Sequence, residues 1–281
     1  MNEQPSSHWE RQFTASIPAI YDSHLGPFLF ERYAEDLARR VTVAPSERSA
    51  VLEVAAGTGI LTAQLRSHLG PDSQIMVTDV SAPMLKVARR RMDKRGFDEP
   101  NRWGIADASA LPFSNGAFDA VICQFGVMFF PDKERAASET YRVLRTGGQW
   151  LFSVWDSWDE NVFGRIVHET VAKFFPHDPP GFYHGPFGFY DPIALRTLVT
   201  TAGFTDPEIV TLDMVLETES AAHAAIGFVR GNPLIDAIEK RGVVDANPII
   251  DAVADALARA FGDHPLRIPT RVRVVSSHRG R

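Results

Sequence analysis

The 281-residue chain has a single cysteine, Cys123. That excludes an internal disulfide framework, a Cys-rich zinc module and any chemistry relayed between several thiols, and it fits a reducing compartment. No apolar run approaches the ~20 residues that cross a bilayer, and residues 1–30 lack a basic start followed by a continuous apolar stretch, so the expected location is the cytoplasm. Positive charge is in deficit, 29 Lys and Arg against 35 Asp and Glu, for a net charge of −6. A chain of that sign repels a phosphate polymer, and no nucleic-acid partner is expected. The one basic cluster, Lys86, Arg89, Arg90, Arg91, Lys94 and Arg95, falls on a helical pattern and reads as a solvated face. Metal-ligand spacing of the His-Glu-x-x-His type is missing, and the Gly-rich turn is not followed by Lys with Ser or Thr. A metal site and a nucleoside-triphosphate loop are thereby set aside.

What is present is a globular composition, 44% hydrophobic and 23% charged, in which short apolar runs alternate with helical patterns from residue 50. That alternation announces a parallel sheet with helices. Ala50 to Val54 reads as a buried strand, residues 55–59 as a Gly-rich turn, and Ile60, Leu61, Leu65 and Leu69 recur at helical spacing. Ile75 to Thr78 is a second strand ending at Asp79, after which Ser81 and Pro83 start a helix. Trp103 to Ala106 is a weak third strand, Phe118 to Phe125 a strong fourth, and Gln149 to Trp155 a fifth beyond a helix over 132–144.

After Trp155 the character changes: residues 155–190 hold ten of the 29 aromatic residues. Asp191-Pro192 then starts a helix that Gly203 ends, Glu208 to Leu216 alternates as a strand, and Asn232-Pro233 and Asn247-Pro248 each cap a further helix. Thr270 to Ser276, with Val272 and Val274 opposite Arg271 and Arg273, reads as the last strand of the main sheet. The expected organisation is a helical cap over 1–45, a core over 46–155, an aromatic lid over 156–190, and a C-terminal part over 191–281 with a helical insertion at about 217–265.

Ligands of open α/β sheets sit beyond the carboxyl ends of the strands, so the residues that end each strand matter most. These are Glu53 with the turn to Gly59, Asp79, Asp107 within Ala106 to Ser109, and Cys123-Gln124-Phe125. Asp79 stands twenty residues after Gly59, where a carboxylate accepts both hydroxyls of a ribose. A dinucleotide fingerprint aligned on Gly57 and Gly59 leaves Thr62 at its third small position, an imperfect fit. Glu53 is the only charge between Leu52 and Leu65. Pointed into the turn, it disfavours a pyrophosphate by about 4 kcal/mol per contact at 4 Å and an effective dielectric of 20, and favours an adenosine ligand carrying positive charge.

Five motifs, VLEVAAGTGILTAQL, VTDVSAPML, IADASALPF, FDAVICQFGVMFFPD and VLRTGGQWLFSVW, stand in the order and spacing of the class I S-adenosylmethionine-dependent methyltransferases. Over about residues 45–155 the chain most closely resembles the small-molecule type grouped with ubiquinone and menaquinone biosynthesis. The resemblance implies a Rossmann-like, seven-stranded, mostly parallel sheet with helices on both faces and a helical cap. It implies that Glu53, Ala55, Gly57, Thr58 and Gly59 hold the methionine part of S-adenosylmethionine, that Asp79 holds the ribose, and that Val80 and Met84 pack on the adenine. Asp107, beside Ala108 and Ser109, accepts from the adenine amino group; Gln124 and Phe125 border the methionine end; Tyr21 closes the pocket. The family's first turn glycine is Ala55 here, harmless at negative φ and strained at positive φ.

The expected reaction is direct displacement of a methyl group onto a small, aromatic or apolar acceptor, leaving S-adenosylhomocysteine. Because that leaving group is already neutral, the protein's task is alignment and exclusion of water, and a general base is optional. His24, His168, His177 and His184 are candidate bases, and their spacing selects none of them. Two rival readings stand beside this one: a cofactor-binding protein of the same fold without turnover, and a nicotinamide-dependent oxidoreductase.

Overall fold

The computed structural model describes residues 17–43, 49–69, 72–96 and 102–280. The expected boundary at 45/46 and the first sixteen residues of the expected cap lie outside them. In chain order, α1 (Ile17–Ile20) runs into a π-helical stretch, Tyr21–Phe30, and on into α2 (Glu31–Arg39). Then follow β1 (Ala50–Glu53), α3 (Ile60–Leu69), β2 (Gln74–Asp79), α4 (Ala82–Lys94), β3 (Arg102–Ile105), β4 (Phe118–Gln124), α5 (Lys133–Val143) and β5 (Leu144–Trp155). The remainder is α6 (Val162–Ala172), α7 (Pro192–Thr201), β6 (Glu208–Thr218), α8 (Ala221–Arg230), α9 (Leu234–Glu239), α10 (Asn247–Phe261) and β7 (Leu266–His278).

The strands form one seven-stranded sheet in the order β3-β2-β1-β4-β5-β7-β6. β1 to β5 are mutually parallel, and β7 is antiparallel to both β5 and β6. Parallel strands covered on both faces need continuous apolar runs, which Val51, Leu52, Ile75, Val77, Val121 and Ile122 supply, all at most 1% exposed. β2 and β4 flank β1 on opposite sides, so strand order reverses there and a crevice opens at the strand tips.

Local chemistry sets the helix starts. The Ser81 hydroxyl accepts from the Met84 amide, Asp132 accepts from the Arg135 amide and Asp191 from the Ile193 amide, as N-caps do. Asn232 accepts from the Leu234 amide, as expected. Asn247 does not cap its helix: Asp245 accepts from the Asn247 amide, and the Asn247 side chain instead takes a hydrogen bond from Arg230. Three strands outrun their expected bounds. β5 starts at Leu144, and β6 and β7 pair from Glu208↔Ser276 out to Thr218↔Leu266. Polar residues hid this extension, because Glu217 and Arg267 pair between the two strands as an ion pair at 2.8 Å.

Candidate functional site

A cavity of about 200 Å³ lies at the tips of β1, β2 and β4. One wall is made by strand ends and their loops, and includes Ala55, Gly57, Asp79, Val80, Met84, Asp107, Ala108, Gln124 and Phe125. The π-helical stretch closes this end with Tyr21, Leu25, Leu29 and Phe30, where Tyr21 stacks on Phe30 at 5.1 Å between ring centroids. π-helical turns are rare and concentrate at functional sites.

The Gly-rich turn is held from three directions. Val54 donates to the Ile122 carbonyl, Ala56 to the Thr78 carbonyl, and the Gly57 amide to the Asp79 carboxylate at 2.8 Å. Asp79 also accepts from the Ser81 amide at 2.8 Å, and its burial pushes its pKa above the usual carboxylate value. Gly57 has φ +56°, and a side chain there would project into open space. Gly59, at φ +76°, is needed for a different reason: a Cβ on it would stand 2.8 Å from that of Ala88, so the turn packs directly on α4.

Ala55 has φ +55°, the strained alternative, and Phe125, at the tip of β4, has φ +53°. Each costs about 1–2 kcal/mol, and strain of this kind collects at functional sites. The two meet through Gly126, whose Cβ would lie 2.6 Å from the Ala55 methyl and 2.6 Å from the Cys123 sulfur. The methyl that replaces the expected glycine thus fills the space that a side chain at 126 would take.

Four of the expected site residues do not line the cavity: Glu53, Thr58, Gly59 and Ser109. Glu53 sits behind the turn, 1% exposed, where it accepts from the Thr62 hydroxyl at 2.6 Å. Burial pushes its pKa up to about 8, which reduces the negative charge it presents to the turn at neutral pH. The expected charge of Glu53 is thereby weakened, and the carboxylates that line the cavity are those of Asp79 and Asp107. Thr62, the misfit in a dinucleotide fingerprint, is the partner that holds Glu53 in place. Ser109 acts at one remove, donating to Asp107 from both its amide and its hydroxyl. The Gln124 amide nitrogen donates to the Phe30 carbonyl and fixes the π-helical stretch to β4.

Much of the remaining lining is aromatic. Phe129 and Phe130 follow β4, Trp155 ends β5, Phe163 comes from α6, Phe182, Tyr183 and Phe187 from the loop after it, and Phe228 from α8. Phe125 stacks on Trp155 at 4.4 Å and 9°, and Phe163 on Phe228 at 5.2 Å. The expected lid segment is therefore divided: Phe163, Phe182, Tyr183 and Phe187 line the cavity, whereas Phe174, Phe175 and Tyr190 do not. Sequence reasoning missed Phe228 and Asn232, because an aromatic at helical spacing and an Asn before Pro carry the signals of core and cap.

Among the described residues lining the cavity there is no Lys, Arg or His, so none of the four candidate histidine bases reaches it. The polar groups of the aromatic half are committed elsewhere. Tyr183 donates to the Phe228 carbonyl at 2.9 Å, and Asn232 donates to the same carbonyl while accepting from Leu234. Burial raises the Tyr183 pKa further above its ordinary value, which keeps that hydroxyl neutral.

The basic cluster also divides. Lys86, Arg90 and Lys94 are solvated as expected, and Arg89 lies over the Trp103 ring at 5.6 Å. Arg91 is turned inward, with its side chain 12% exposed against Asp22 and Glu31.

Comparison with known proteins places these features in a family. A family model described as the ubiE/COQ5 methyltransferase family matches residues 31–162. The chain is 35% identical over 190 residues to demethylmenaquinone methyltransferase of Thermus thermophilus, covering 63% of this chain and 81% of that one. It is 34% identical over 151 residues to the ubiquinone/menaquinone biosynthesis C-methyltransferase UbiE of Hahella chejuensis, covering 53% of this chain and 59% of the relative. Among solved structures, phosphoethanolamine N-methyltransferase 2 of Haemonchus contortus, in complex with S-adenosyl-L-methionine, shares the fold at a TM-score of 0.62 and 16% identity, over 100% of this chain and 61% of that one. Geranyl diphosphate C-methyltransferase of Streptomyces coelicolor shares it at 0.52 and 16%, over 89% of this chain and 79% of that one. A relative of this identity, matched over four fifths of its length, shows that the chain belongs to the ubiE/COQ5 family of S-adenosylmethionine-dependent methyltransferases.

Proposed function

We propose that this chain transfers the methyl group of S-adenosylmethionine to a carbon of an uncharged, ring-bearing acceptor of the hydroquinone class. The observation that carries the reading is the division of one cavity into a strand-tip end with two carboxylates and an open glycine, and an end walled by aromatic rings from five separate segments. The residues present fit the cofactor. Asp79 holds the ribose hydroxyls with lone pairs left over from its two amide donors, Val80 and Met84 pack on the adenine, and Asp107 with Ala108 takes the adenine edge. Gly57 leaves room for the backbone to approach the amino-acid part, while Gln124 and Phe125 border it and Tyr21 covers it. Thr58, Gly59, Glu53 and Ser109 support this wall from behind.

S-adenosylmethionine supplies a methyl group on a sulfonium with a neutral leaving group. The protein's contribution is to hold the acceptor in line with that methyl and to exclude water, which the packed rings do without dedicated hydrogen bonds. With no Lys, Arg or His among the described lining residues, a phosphate- or carboxylate-bearing acceptor has no side-chain counter-charge there. With no histidine or lysine among the described lining residues, and both lining carboxylates at the strand tips, the acceptor supplies its own electron density, as an electron-rich ring carbon of a hydroquinone does. The relatives named for demethylmenaquinone and for ubiquinone/menaquinone C-methylation support this acceptor class.

The test is incubation with S-adenosylmethionine and a panel of reduced, ring-demethylated naphthoquinones and benzoquinones, followed by mass spectrometry and fragmentation. The expected outcome is one added methyl group on a ring carbon with matching S-adenosylhomocysteine. Methylation confined to hydroxyls or amines, or cofactor binding with no product from any ring acceptor, contradicts it.

A further inference from the structure

Arg91 is the member of the basic cluster that the solvated-face reading does not explain. It stands on α4, and its guanidinium reaches three other parts of the chain. Nη2 is 2.6 Å from Asp22 Oδ1, Nη1 is 3.4 Å from Glu31 Oε1, and Nε donates to the Thr58 carbonyl at 3.2 Å. Arg95, one turn on, adds a longer contact of 3.9 Å to Glu31. Only a planar fork with donors on three nitrogens spans acceptors so placed; an ammonium serves one of them at a time.

Each of these acceptors belongs to a part that shapes the strand-tip end of the cavity. Thr58 follows Gly57, whose amide is bonded to Asp79. Asp22 follows Tyr21, which lines the cavity. Glu31 follows Phe30, which stacks on Tyr21. The π-helical stretch approaches this joint closely: a Cβ on Gly26 would lie 3.6 Å from Arg91 Nη2 and 3.1 Å from the Ile60 side chain.

We infer that Arg91 is a positioning residue that locks the π-helical stretch and the Gly-rich turn into one geometry, so that this joint sets how long S-adenosylmethionine stays bound. The inference rests on the reading of the cavity given under Proposed function. Arg91 touches neither cofactor nor acceptor. Its effect therefore falls on cofactor dissociation, with little on acceptor recognition.

The test uses the full chain with Arg91→Gln, Arg91→Lys, Asp22→Asn and, as a control from the solvated part of the same helix, Lys86→Gln. S-adenosylmethionine affinity is read by calorimetry, S-adenosylhomocysteine release by stopped-flow fluorescence, and KM against kcat by turnover. Arg91→Gln is expected to raise the cofactor Kd about tenfold to a hundredfold through faster release, as loss of a set of charge-assisted hydrogen bonds does. KM for the cofactor rises more than kcat falls, and KM for the acceptor moves within about twofold. Arg91→Lys lies between Arg91→Gln and wild type. Asp22→Asn replaces a carboxylate whose side chain is 30% exposed, so its fold is retained, and it shows a smaller rise of the same kind. Unchanged cofactor affinity and release in both Asp22→Asn and Arg91→Gln overturns the joint. Wild-type protein that takes up no S-adenosylmethionine overturns the reading of the cavity instead, and the joint falls with it.

Discussion

The two ends of the cavity are built by opposite strategies. The strand-tip end fixes main-chain atoms: Ala55, Gly57, Gly59 and Phe125 all have positive φ, and the Asp79 carboxylate is tied to two amides of neighbouring loops. The far end fixes no hydrogen-bonding group for a ligand and instead assembles side-chain surface, with rings contributed by chain segments from Phe129 to Phe228. A ligand held by the first kind of wall is recognised atom by atom. One held by the second is recognised by shape and apolar area. A cofactor common to a whole family suits the first, and an acceptor that differs between members suits the second.

The largest expected effect separates the two ends through the backbone. Gly59→Val drives a branched side chain into Ala88 at a residue with φ +76°, and is expected to cost about 3 kcal/mol or more by denaturant unfolding, with cofactor binding lost. Next comes Asp79→Ala, which removes the acceptor of the Gly57 and Ser81 amides. Cofactor affinity falls by about 1–3 kcal/mol, and a calorimetric titration with unchanged Kd would remove Asp79 from the site. Phe182→Ala probes the other wall. It is expected to raise the acceptor KM by about tenfold, in line with ~1.5 kcal/mol of lost apolar contact, while the cofactor Kd holds. If both constants move together in these last two variants, the division of the cavity is wrong.

Proton linkage supplies a finer test. The Glu53 carboxyl is raised by burial from 4.5 to about 8, so the folded chain holds a proton that the unfolded chain has released over that interval. Its contribution to stability is fully present below the unfolded value and is lost as pH rises toward and through 8. Glu53→Gln keeps a neutral acceptor for the Thr62 hydroxyl, and is expected to flatten this falling limb in a series of unfolding curves; an unaltered limb assigns it to another group. The smallest effect is that of Lys86→Gln, within about 0.5 kcal/mol in stability, as for any solvated position free of such features.

How much of this was legible in the sequence follows the same division. Strand-tip residues announce themselves, because a turn that needs positive φ calls for glycine and a strand that ends on Asp stands out against its apolar run. Asp79, Asp107 and Gln124, singled out this way, line the cavity. Glu53 belongs to the same pattern but does not line the cavity, since one-letter spacing does not say whether a side chain at a strand tip faces the ligand or the helix behind it; here Thr62 draws it back. Arg91 was hidden among the five other cations of its cluster, and only the path of the π-helical stretch distinguishes it. The aromatic wall was legible as a concentration of rings over 155–190 but not as a surface, because Phe163 and Phe228 meet across α6 and α8, whose sequence patterns are those of any core helix.

The central claim is that the strand tips hold an adenosyl donor through Asp79. Calorimetric titration of the protein with S-adenosylmethionine, beside the Asp79→Ala variant and with NAD as the competing ligand, tests it most directly. Saturable single-site binding of S-adenosylmethionine that Asp79→Ala weakens about fivefold or more, with no uptake of NAD, is the predicted result. Binding of NAD in its place, or binding of S-adenosylmethionine indifferent to Asp79, would contradict it.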